Sequence, residues 1–201
     1  STPLSILQTA HDVSHLVHPL CACHTTGMWL TLTILVIFIV IASAAWAGFH
    51  GAPWVPTWAK DFNRVRGLAA LQATDTVYEL GAGEGRLLKV FAATSARTIV
   101  GFELSFLPFL IAKVRFWNQR PRVQVKCQDF FHVDFHPATV IFCFLTPPAM
   151  RKLKEKFEAE CRPGTRIISY AFSIPGWTPE VTDKPAPSAM TIYRYVVPPR
   201  P

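Results

Sequence analysis

A glycine-rich turn between a strand pattern and a helix pattern constrains the fold of this chain more than any other feature. The turn lies in YELGAGEGRLL, residues 78–88, where Gly81, Gly83 and Gly85 alternate with other residues. β-Branched and aromatic residues at 76–78 favour a strand before the turn, and helical spacing follows it. Glycine lets the backbone turn with positive φ, and it leaves space that a side chain would fill. The turn is therefore predicted to hold a ligand.

Strand and helix patterns alternate along the rest of the chain. The sequence predicts strands at 76–80, 98–103, 123–127, 139–144, 166–172 and 190–197. It predicts helices at 61–71, 85–93, 105–118 and 148–160, and a surface loop at 179–188. Such alternation is typical of an α/β, Rossmann-like fold with a mostly parallel sheet and helices on both faces. The last strand is expected to insert antiparallel at or near an edge.

The spacing of the glycines and three acidic positions indicate which ligand the turn holds. Dinucleotide sites favour G-x-G-x-x-G, whereas this turn reads G-x-G-x-G. Glu79 precedes the first glycine, where it would repel a pyrophosphate but suits an ammonium group. Glu103 ends the second strand, where it can accept from ribose hydroxyls. Asp129 and Phe130 follow the third strand, where an acid can accept from the adenine amino group and a ring can stack on it.

This pattern favours S-adenosylmethionine as the cofactor, because that molecule carries an ammonium group and a sulfonium group. The predicted cofactor-binding residues are Glu79, Gly81, Ala82, Gly83, Gly85, Glu103, Leu104, Asp129 and Phe130.

A long uncharged stretch precedes the alternating region. No Lys, Arg, Asp or Glu occurs between Asp12 and Lys60. Residues 28–48 are rich in Leu, Ile, Val and Phe, and at about 1.5 Å per residue they could cross the roughly 30 Å hydrocarbon core of a bilayer. We therefore predict one transmembrane helix at 28–48, between a short segment at 1–27 and a domain at 49–201. A buried core helix and a cleaved signal peptide are the alternatives.

Charge is distributed unevenly about this stretch. All 20 Lys and Arg residues lie from Lys60 onward, together with 12 of the 13 acids. The positive-inside rule then predicts that the domain faces the cytoplasm or an equivalent compartment. A basic domain would also be attracted to anionic lipid headgroups. Because the basic residues are dispersed and no nucleic-acid-binding module is present, no nucleic-acid partner is predicted.

The five cysteines form two sets. Cys127, Cys143 and Cys161 lie in or beside predicted elements without paired spacing, so they are expected to be reduced and buried. Two further cysteines and four histidines fall within residues 11–24. These are plausible soft ligands for a metal, but they match no standard zinc pattern, and no metal site is predicted.

Several stretches resemble the seven-β-strand (class I) protein lysine methyltransferases. They are VYELGAGEGRLL, IVGFELS, the long run from DFFHVDFH to IPGWTPE, and YRYVV. This group includes archaeal broad-specificity enzymes and mitochondrial enzymes acting on the adenine nucleotide translocase and the ATP synthase c-subunit. The resemblance runs from about Pro53 to Val197, and it implies a seven-stranded class I methyltransferase sheet, S-adenosylmethionine and a lysine acceptor. Trp54 and Trp58 depart from the family's usual tyrosine and proline.

The acceptor side is expected at the end of the fourth strand, where the sequence reads FLTPPA. It lacks the Asn/Asp-Pro-Pro-aromatic motif of enzymes that methylate planar amides and bases. Trp54, Thr57, Phe144 and Thr146 are candidates for the lining of a lysine channel, and no catalytic base is assigned. The predicted function is a membrane-anchored, S-adenosylmethionine-dependent protein-lysine N-methyltransferase with substrates at or near the membrane. The alternatives are a small-molecule or lipid methyltransferase and a non-catalytic, membrane-tethered scaffold.

Overall fold

The computed structural model describes the backbone of residues 14–50 and 55–199. In the first range it describes the side chains at 27–43, 45, 46 and 48. The chain divides into two compact units, Ser1–Ala42 and Ser43–Pro201. The histidines and cysteines at 11–24 lie outside the described side chains, so the absence of a metal site there stays a prediction. The domain limits predicted above also stay predictions.

Helix α1 spans Ser14–His50 and contains residues 28–48. Within the described residues, no helix combines the length and the apolar character that crossing a membrane requires. The prediction of a transmembrane helix at 28–48 is therefore wrong. It rested on the lack of charge, the Leu, Ile, Val and Phe content and the length of 28–48, whereas the described part of α1 does not supply a run both long and apolar enough to cross.

The domain begins with a short helical segment that follows an extended stretch at 55–58. A 3₁₀ turn at Ala59–Asp61 leads into helix α2, Phe62–Ala69. Ala70 ends the helix in the left-handed conformation, with φ of 43°. Val65 and Ala69 are buried and belong to an apolar cluster with residues of the sheet.

Among the described residues, seven strands form one sheet in the order β3-β2-β1-β4-β5-β7-β6. The strands are β1 Thr76–Leu80, β2 Thr98–Glu103, β3 Val123–Cys127, β4 Val140–Cys143, β5 Arg166–Tyr170, β6 Val181–Asp183 and β7 Ile192–Val196. Strands β1 to β5 pair in parallel. Strand β7 runs antiparallel to both β5 and β6. The Rossmann-like methyltransferase sheet and its antiparallel last strand are thus confirmed.

Strand β6 lies in the segment that the sequence predicts as a surface loop, so that prediction is wrong for Val181–Asp183. Its three residues are too few to show alternation, and its side chains are largely exposed. The pairing of Val181 with Arg194 across to β7 makes it a strand. This long-range contact leaves no local sequence signal.

Helices cover both faces of the sheet. They are α3 Arg86–Ala92, α4 Phe106–Arg115 and α5 Pro147–Glu160. Helices α2 and α3 contribute to an apolar cluster with Val77 and Phe142. Helix α5 contributes Leu153 and Phe157 to a second cluster, which includes Tyr78. Val77 and Tyr78 are adjacent and point to opposite faces, so each face has its own core.

Two of the three cysteines of the domain are buried, as predicted, and one is not. Cys143 and Cys161 are buried, whereas Cys127 is exposed. The prediction that Cys127 is buried is wrong, because Cys127 ends β3, which is the edge strand of the sheet.

Candidate active site

The predicted cofactor residues and acceptor residues meet at one edge of the sheet. Strands β1 to β5 are parallel, so their carboxyl ends open at the same edge. Strand β1 lies between β2 and β4, which makes it the point where the strand order reverses. Ligands of open α/β sheets bind in the crevice at this point. The predicted cofactor residues follow β1, β2 and β3, and the acceptor candidates Phe144 and Thr146 follow β4.

The glycine turn is built as the sequence predicts. Gly81, Gly83 and Gly85 all have positive φ, of 77°, 54° and 79°. The amides of Gly81 and Ala82 both donate to the carbonyl of Phe102 at 2.9 Å, which ties the turn to β2. A Cβ at Gly85 would lie 2.7 Å from the ring of Phe116. Gly85 therefore has both a conformational and a steric reason to be glycine.

Glu79 is a buried carboxyl group just before the turn, with 4% of its surface exposed. Burial raises its pKa well above the usual value, and the nearby charge of Glu103 raises it further, while a backbone hydrogen bond involving Leu88 acts in the opposite direction. Within the described part of the chain, Oε2 of Glu79 has no hydrogen-bond partner. A buried oxygen without a partner is costly, and an ammonium group would satisfy it. This orphaned oxygen fits the methionine ammonium group of S-adenosylmethionine.

Glu103 holds the glycine turn in place. One carboxylate oxygen accepts from the amide of Gly83 at 2.8 Å, and the other accepts from the amide of Ser105 at 2.6 Å. Each carboxylate oxygen has a second lone pair, so both can still accept from ribose hydroxyls. The sequence predicts the ribose contact but not the support of the turn, because Glu103 and Gly83 are far apart along the chain. Leu104, which lies between Glu103 and Ser105 in the sequence, is half-buried.

Asp129 and Phe130 follow β3 and differ in exposure. Oδ1 of Asp129 accepts from the amide of Phe131 at 2.9 Å and so caps the 3₁₀ turn Phe130–His132. Its Oδ2 lies 3.4 Å from Nδ1 of His132. The ring of Phe130 is buried in the core against Phe131, with ring centroids 4.7 Å apart. The adenine contacts of these residues stay predictions.

The acceptor side combines aromatic and buried residues. Phe144 and Thr146 are half-buried, and Thr57 is buried in the segment that enters the domain. Trp54 lies outside the described residues. The ring of Phe144 packs edge-on against Tyr170 with centroids 4.8 Å apart. Tyr170 ends β5 and is a site residue that the sequence analysis missed.

Tyr170 belongs to a buried polar network that joins distant parts of the chain. Its hydroxyl donates to Oδ2 of Asp61 at 2.6 Å. Arg64 donates to Oδ1 of Asp61 at 2.8 Å and to Oδ2 of Asp183 at 2.8 Å. Burial alone would raise the pKa of Asp61, but the hydrogen bonds from Tyr170 and Arg64 hold that pKa below its usual value. The network fixes the entry segment against β5 and β6.

The chain bends sharply after Tyr170. Ala171 has a φ of 71°, which is unusual for a residue with a side chain. Its amide donates to the carbonyl of Thr191 at 2.8 Å, and the hydroxyl of Ser169 donates to the carbonyl of Phe172 at 2.5 Å. Strained residues held in this way are concentrated at functional sites. The bend lies at the carboxyl edge, beside the acceptor candidates.

A family model of the ANTKMT methyltransferase domain matches residues 79–181, the region from the glycine turn to β6. A protein-lysine N-methyltransferase of Saccharolobus islandicus is 34% identical over 150 residues, which cover 72% of this chain and 93% of that protein. The human lysine N-methyltransferase of the ATP synthase c-subunit is 30% identical over 132 residues, which cover 64% of this chain. The matched region spans 55% of the human protein.

A solved structure is similar over most of the chain as well. It is the crystal structure of an RNA methyltransferase from Salinibacter ruber in complex with S-adenosyl-L-homocysteine. The two share 28% sequence identity and a TM-score of 0.67, over 73% of this chain and 95% of the other. S-Adenosyl-L-homocysteine is the demethylated form of the cofactor that the glycine turn and Glu79 fit.

Proposed function

The chain belongs to the ANTKMT methyltransferase domain family, and on that premise we propose that it is an S-adenosylmethionine-dependent methyltransferase acting on lysine side chains of proteins. The observation that carries the proposal is the orphaned, buried oxygen of Glu79 beside the glycine turn. The names of the relatives supply the acceptor class, since both are lysine N-methyltransferases.

When bound, S-adenosylmethionine supplies a methyl group on a positively charged sulfur. Glu79 would pair with the ammonium group, and Glu103 would accept from the ribose hydroxyls while it keeps the glycine turn closed. These two carboxylates fix the position of a cationic ligand at the carboxyl end of β1. Positioning of this kind supplies a large part of the rate enhancement in a displacement reaction.

The acceptor edge favours a neutral amine. A lysine side chain in water has a pKa of about 10.4, so at neutral pH it is protonated and cannot attack. The half-buried ring of Phe144 lies there, packed on the buried ring of Tyr170, and an apolar surrounding disfavours the charged form of a lysine. In the residues directly after β4 and β5, 144–147 and 171–174, no His, Asp or Glu is present. Desolvation and alignment are therefore the contributions we assign to this edge.

RNA is the second candidate acceptor, because the Salinibacter structure is named as an RNA methyltransferase. The formal net charge of +7 would also suit a polyanion. The absence of the Asn/Asp-Pro-Pro-aromatic motif after β4 and the names of the two lysine methyltransferases favour protein.

Incubation of a cell extract with the full chain and radiolabelled methyl donor separates these functions. The label is counted in the protein, RNA and lipid fractions, the methyl donor is kept at a low concentration, and the Glu79→Gln variant, which binds the donor weakly, serves as the control. We expect label in protein that is strongly reduced with the variant. Label confined to RNA or to lipid would overturn the lysine acceptor, and no label in any fraction despite cofactor binding would support a scaffold instead.

A further inference from the structure

Helix α4 and the 3₁₀ turn that follows it expose large apolar side chains to solvent. Five such residues are between 41% and 68% exposed, and we call them the apolar stripe: Phe106, Leu107, Leu110, Val114 and Trp117. Positions 106, 110 and 114 recur every four residues, so they lie along one face of the helix. Contiguous apolar surface of this kind marks an interaction site more often than it marks chance exposure.

The opposite face of α4 already fills the core. Pro108, Ala112 and Phe116 are buried, and Phe116 packs against the glycine turn at Gly85. A surface helix normally has one apolar face and one polar face. Helix α4 is apolar on both, so packing within the domain does not explain the apolar stripe.

Positive charge lies within helix α4 and in the segment that follows it. Residues 104–128 contain five Lys or Arg residues and no Asp or Glu. Arg115 donates to the carbonyl of Glu84, and Arg122 donates to the carbonyl of Ala96. Lys113 and Arg120 are exposed. The segment therefore presents apolar side chains together with exposed cations that its own sequence does not neutralise.

We propose that α4 docks on the surface of an anionic lipid bilayer. Apolar side chains of an interfacial helix enter the headgroup region, tryptophan is favoured at that depth, and Lys or Arg residues pair with anionic headgroups. A second copy of the chain would bring two sets of cations together, which is unfavourable. Nucleic acid would suit the cations, and Phe106 and Trp117 offer rings, but the other three members of the apolar stripe are aliphatic and cannot stack on bases.

This docking surface adjoins the candidate active site. Helix α4 begins three residues after Glu103, at the carboxyl edge of the sheet. A docked α4 would therefore hold the cofactor edge near the lipid surface, where a lysine of a membrane protein could reach it. The docking itself does not depend on the proposed methyl transfer, so each can fail without the other.

A fluorescent label on the apolar stripe tests the proposal in the full chain. Val114→Cys is labelled with the environment-sensitive dye nitrobenzoxadiazole, and Glu155→Cys on the exposed side of α5 is the matched control. Cys21, Cys23 and Cys127 are changed to Ser in both, while the buried Cys143 and Cys161 remain. Vesicles contain phosphatidylcholine with or without phosphatidylglycerol.

We expect the emission at position 114 to rise severalfold and shift to the blue with anionic vesicles, and to change little at position 155. Replacing Lys113 and Arg120 by Gln should weaken the response about fivefold for each charge, since each contributes roughly 1 kcal/mol near an anionic surface. An equal response at both positions, or none at 114, would overturn the proposal. An emission rise at position 114 on addition of RNA would also overturn it, because nucleic acid would then be the occupant. A rise with increasing protein concentration in the absence of vesicles would do the same, because the occupant would be a second copy of the chain.

Discussion

At the scale of single residues, the site depends on a carboxyl group whose burial is unfavourable without a ligand. Glu79 is buried, and its Oε2 has no partner within the described residues. Glu103 is buried beside it, but two backbone amides compensate its charge. The contrast assigns different roles to the two acids. Glu103 stabilises the turn at all times, and Glu79 becomes favourable only when a cation arrives.

Glu79→Gln is therefore expected to stabilise the protein without cofactor and to weaken cofactor binding. Burial raises the pKa of Glu79, so the protonated carboxyl group is the form that the fold favours. Its contribution to stability is fully present below the usual glutamate pKa of 4.5. That stabilisation is lost as the pH rises through the raised pKa. Gln cannot ionise, so the difference in Tm between variant and wild type should grow as the pH rises above the usual glutamate value of 4.5.

Calorimetry should show that Glu79→Gln binds S-adenosylmethionine roughly tenfold to a hundredfold more weakly, the usual effect of losing a charge-assisted hydrogen bond. Glu155→Gln, at an exposed position, should change neither property. A variant that loses stability at alkaline pH, or that binds the cofactor normally, would contradict the role given to Glu79.

The sequence was sufficient to place the acids at the strand ends, because the ends of parallel strands share an edge. It was not sufficient for the network of Asp61, Arg64 and Tyr170. Tyr170 and Asp61 are separated by 109 positions, and neither lies in a recognisable motif. Only the fold brings them together, so no local pattern could have predicted that contact.

At the scale of elements, the glycine turn fixes where α3 begins. Gly85 has positive φ and is also crowded by Phe116, whereas Gly164 has a φ of 83° with open space around its Cα. Gly85→Ala and Gly164→Ala therefore share the conformational penalty and differ in the steric one. Comparing the stabilities of the two variants therefore separates the steric penalty from the conformational penalty.

We expect Gly85→Ala to lower the free energy of unfolding by about 1–3 kcal/mol more than Gly164→Ala, the usual range for overpacking. It should also weaken cofactor binding, because Phe116 can give way only by moving the turn or α4. Urea titration and calorimetry of both variants measure these effects. Equal losses of stability would show that Phe116 does not confine the turn.

The contacts of β5 give a second prediction at this scale. Tyr170→Phe keeps the ring against Phe144 but leaves Asp61 with one donor fewer, and a lost partner of a buried group costs about 1–3 kcal/mol. The hydrogen bonds of Asp61 lower its pKa. The ionised carboxylate therefore stabilises the fold above the usual aspartate pKa of 3.8, and this contribution is lost as the pH falls through the lowered pKa.

Tyr170→Phe should therefore be less stable at neutral pH and should begin to unfold at a higher pH during acid titration. Tyr193→Phe, on the neighbouring strand β7, is the control. Circular dichroism at decreasing pH measures both. If the acid midpoints of the variant and the wild type coincide, the hydroxyl of Tyr170 does not support Asp61.

Element types could be predicted from periodicity, and element limits less well. The first three strands have the predicted limits. Gly81 follows the first, Glu103 ends the second, and the third alternates apolar and polar residues up to Cys127. Predicted helix 105–118 ends as an α-helix at Arg115 and continues as a 3₁₀ turn at Trp117–Gln119. Strand β6 escaped prediction because its pairing with β7 determines it.

At the scale of the whole molecule, the excess of positive charge and the apolar surface of α4 lie on the domain that binds the cofactor. The positive-inside rule gives the domain a compartment only in combination with a transmembrane helix at 28–48, and the described residues do not support that helix. The compartment therefore stays a prediction. The family membership and the cofactor site do not depend on it, because both concern residues within 79–181.

The most direct test of the central claim is tandem mass spectrometry of a defined, lysine-rich soluble protein after incubation with the full chain and S-adenosylmethionine carrying a deuterated methyl group. We expect the deuterated methyl groups on lysine Nζ atoms. They should be absent when the lysines of the acceptor have first been acetylated, and strongly reduced at a low cofactor concentration when the Glu79→Gln variant replaces the wild type. Methyl groups on other side chains, or undiminished labelling of the acetylated acceptor, would contradict it.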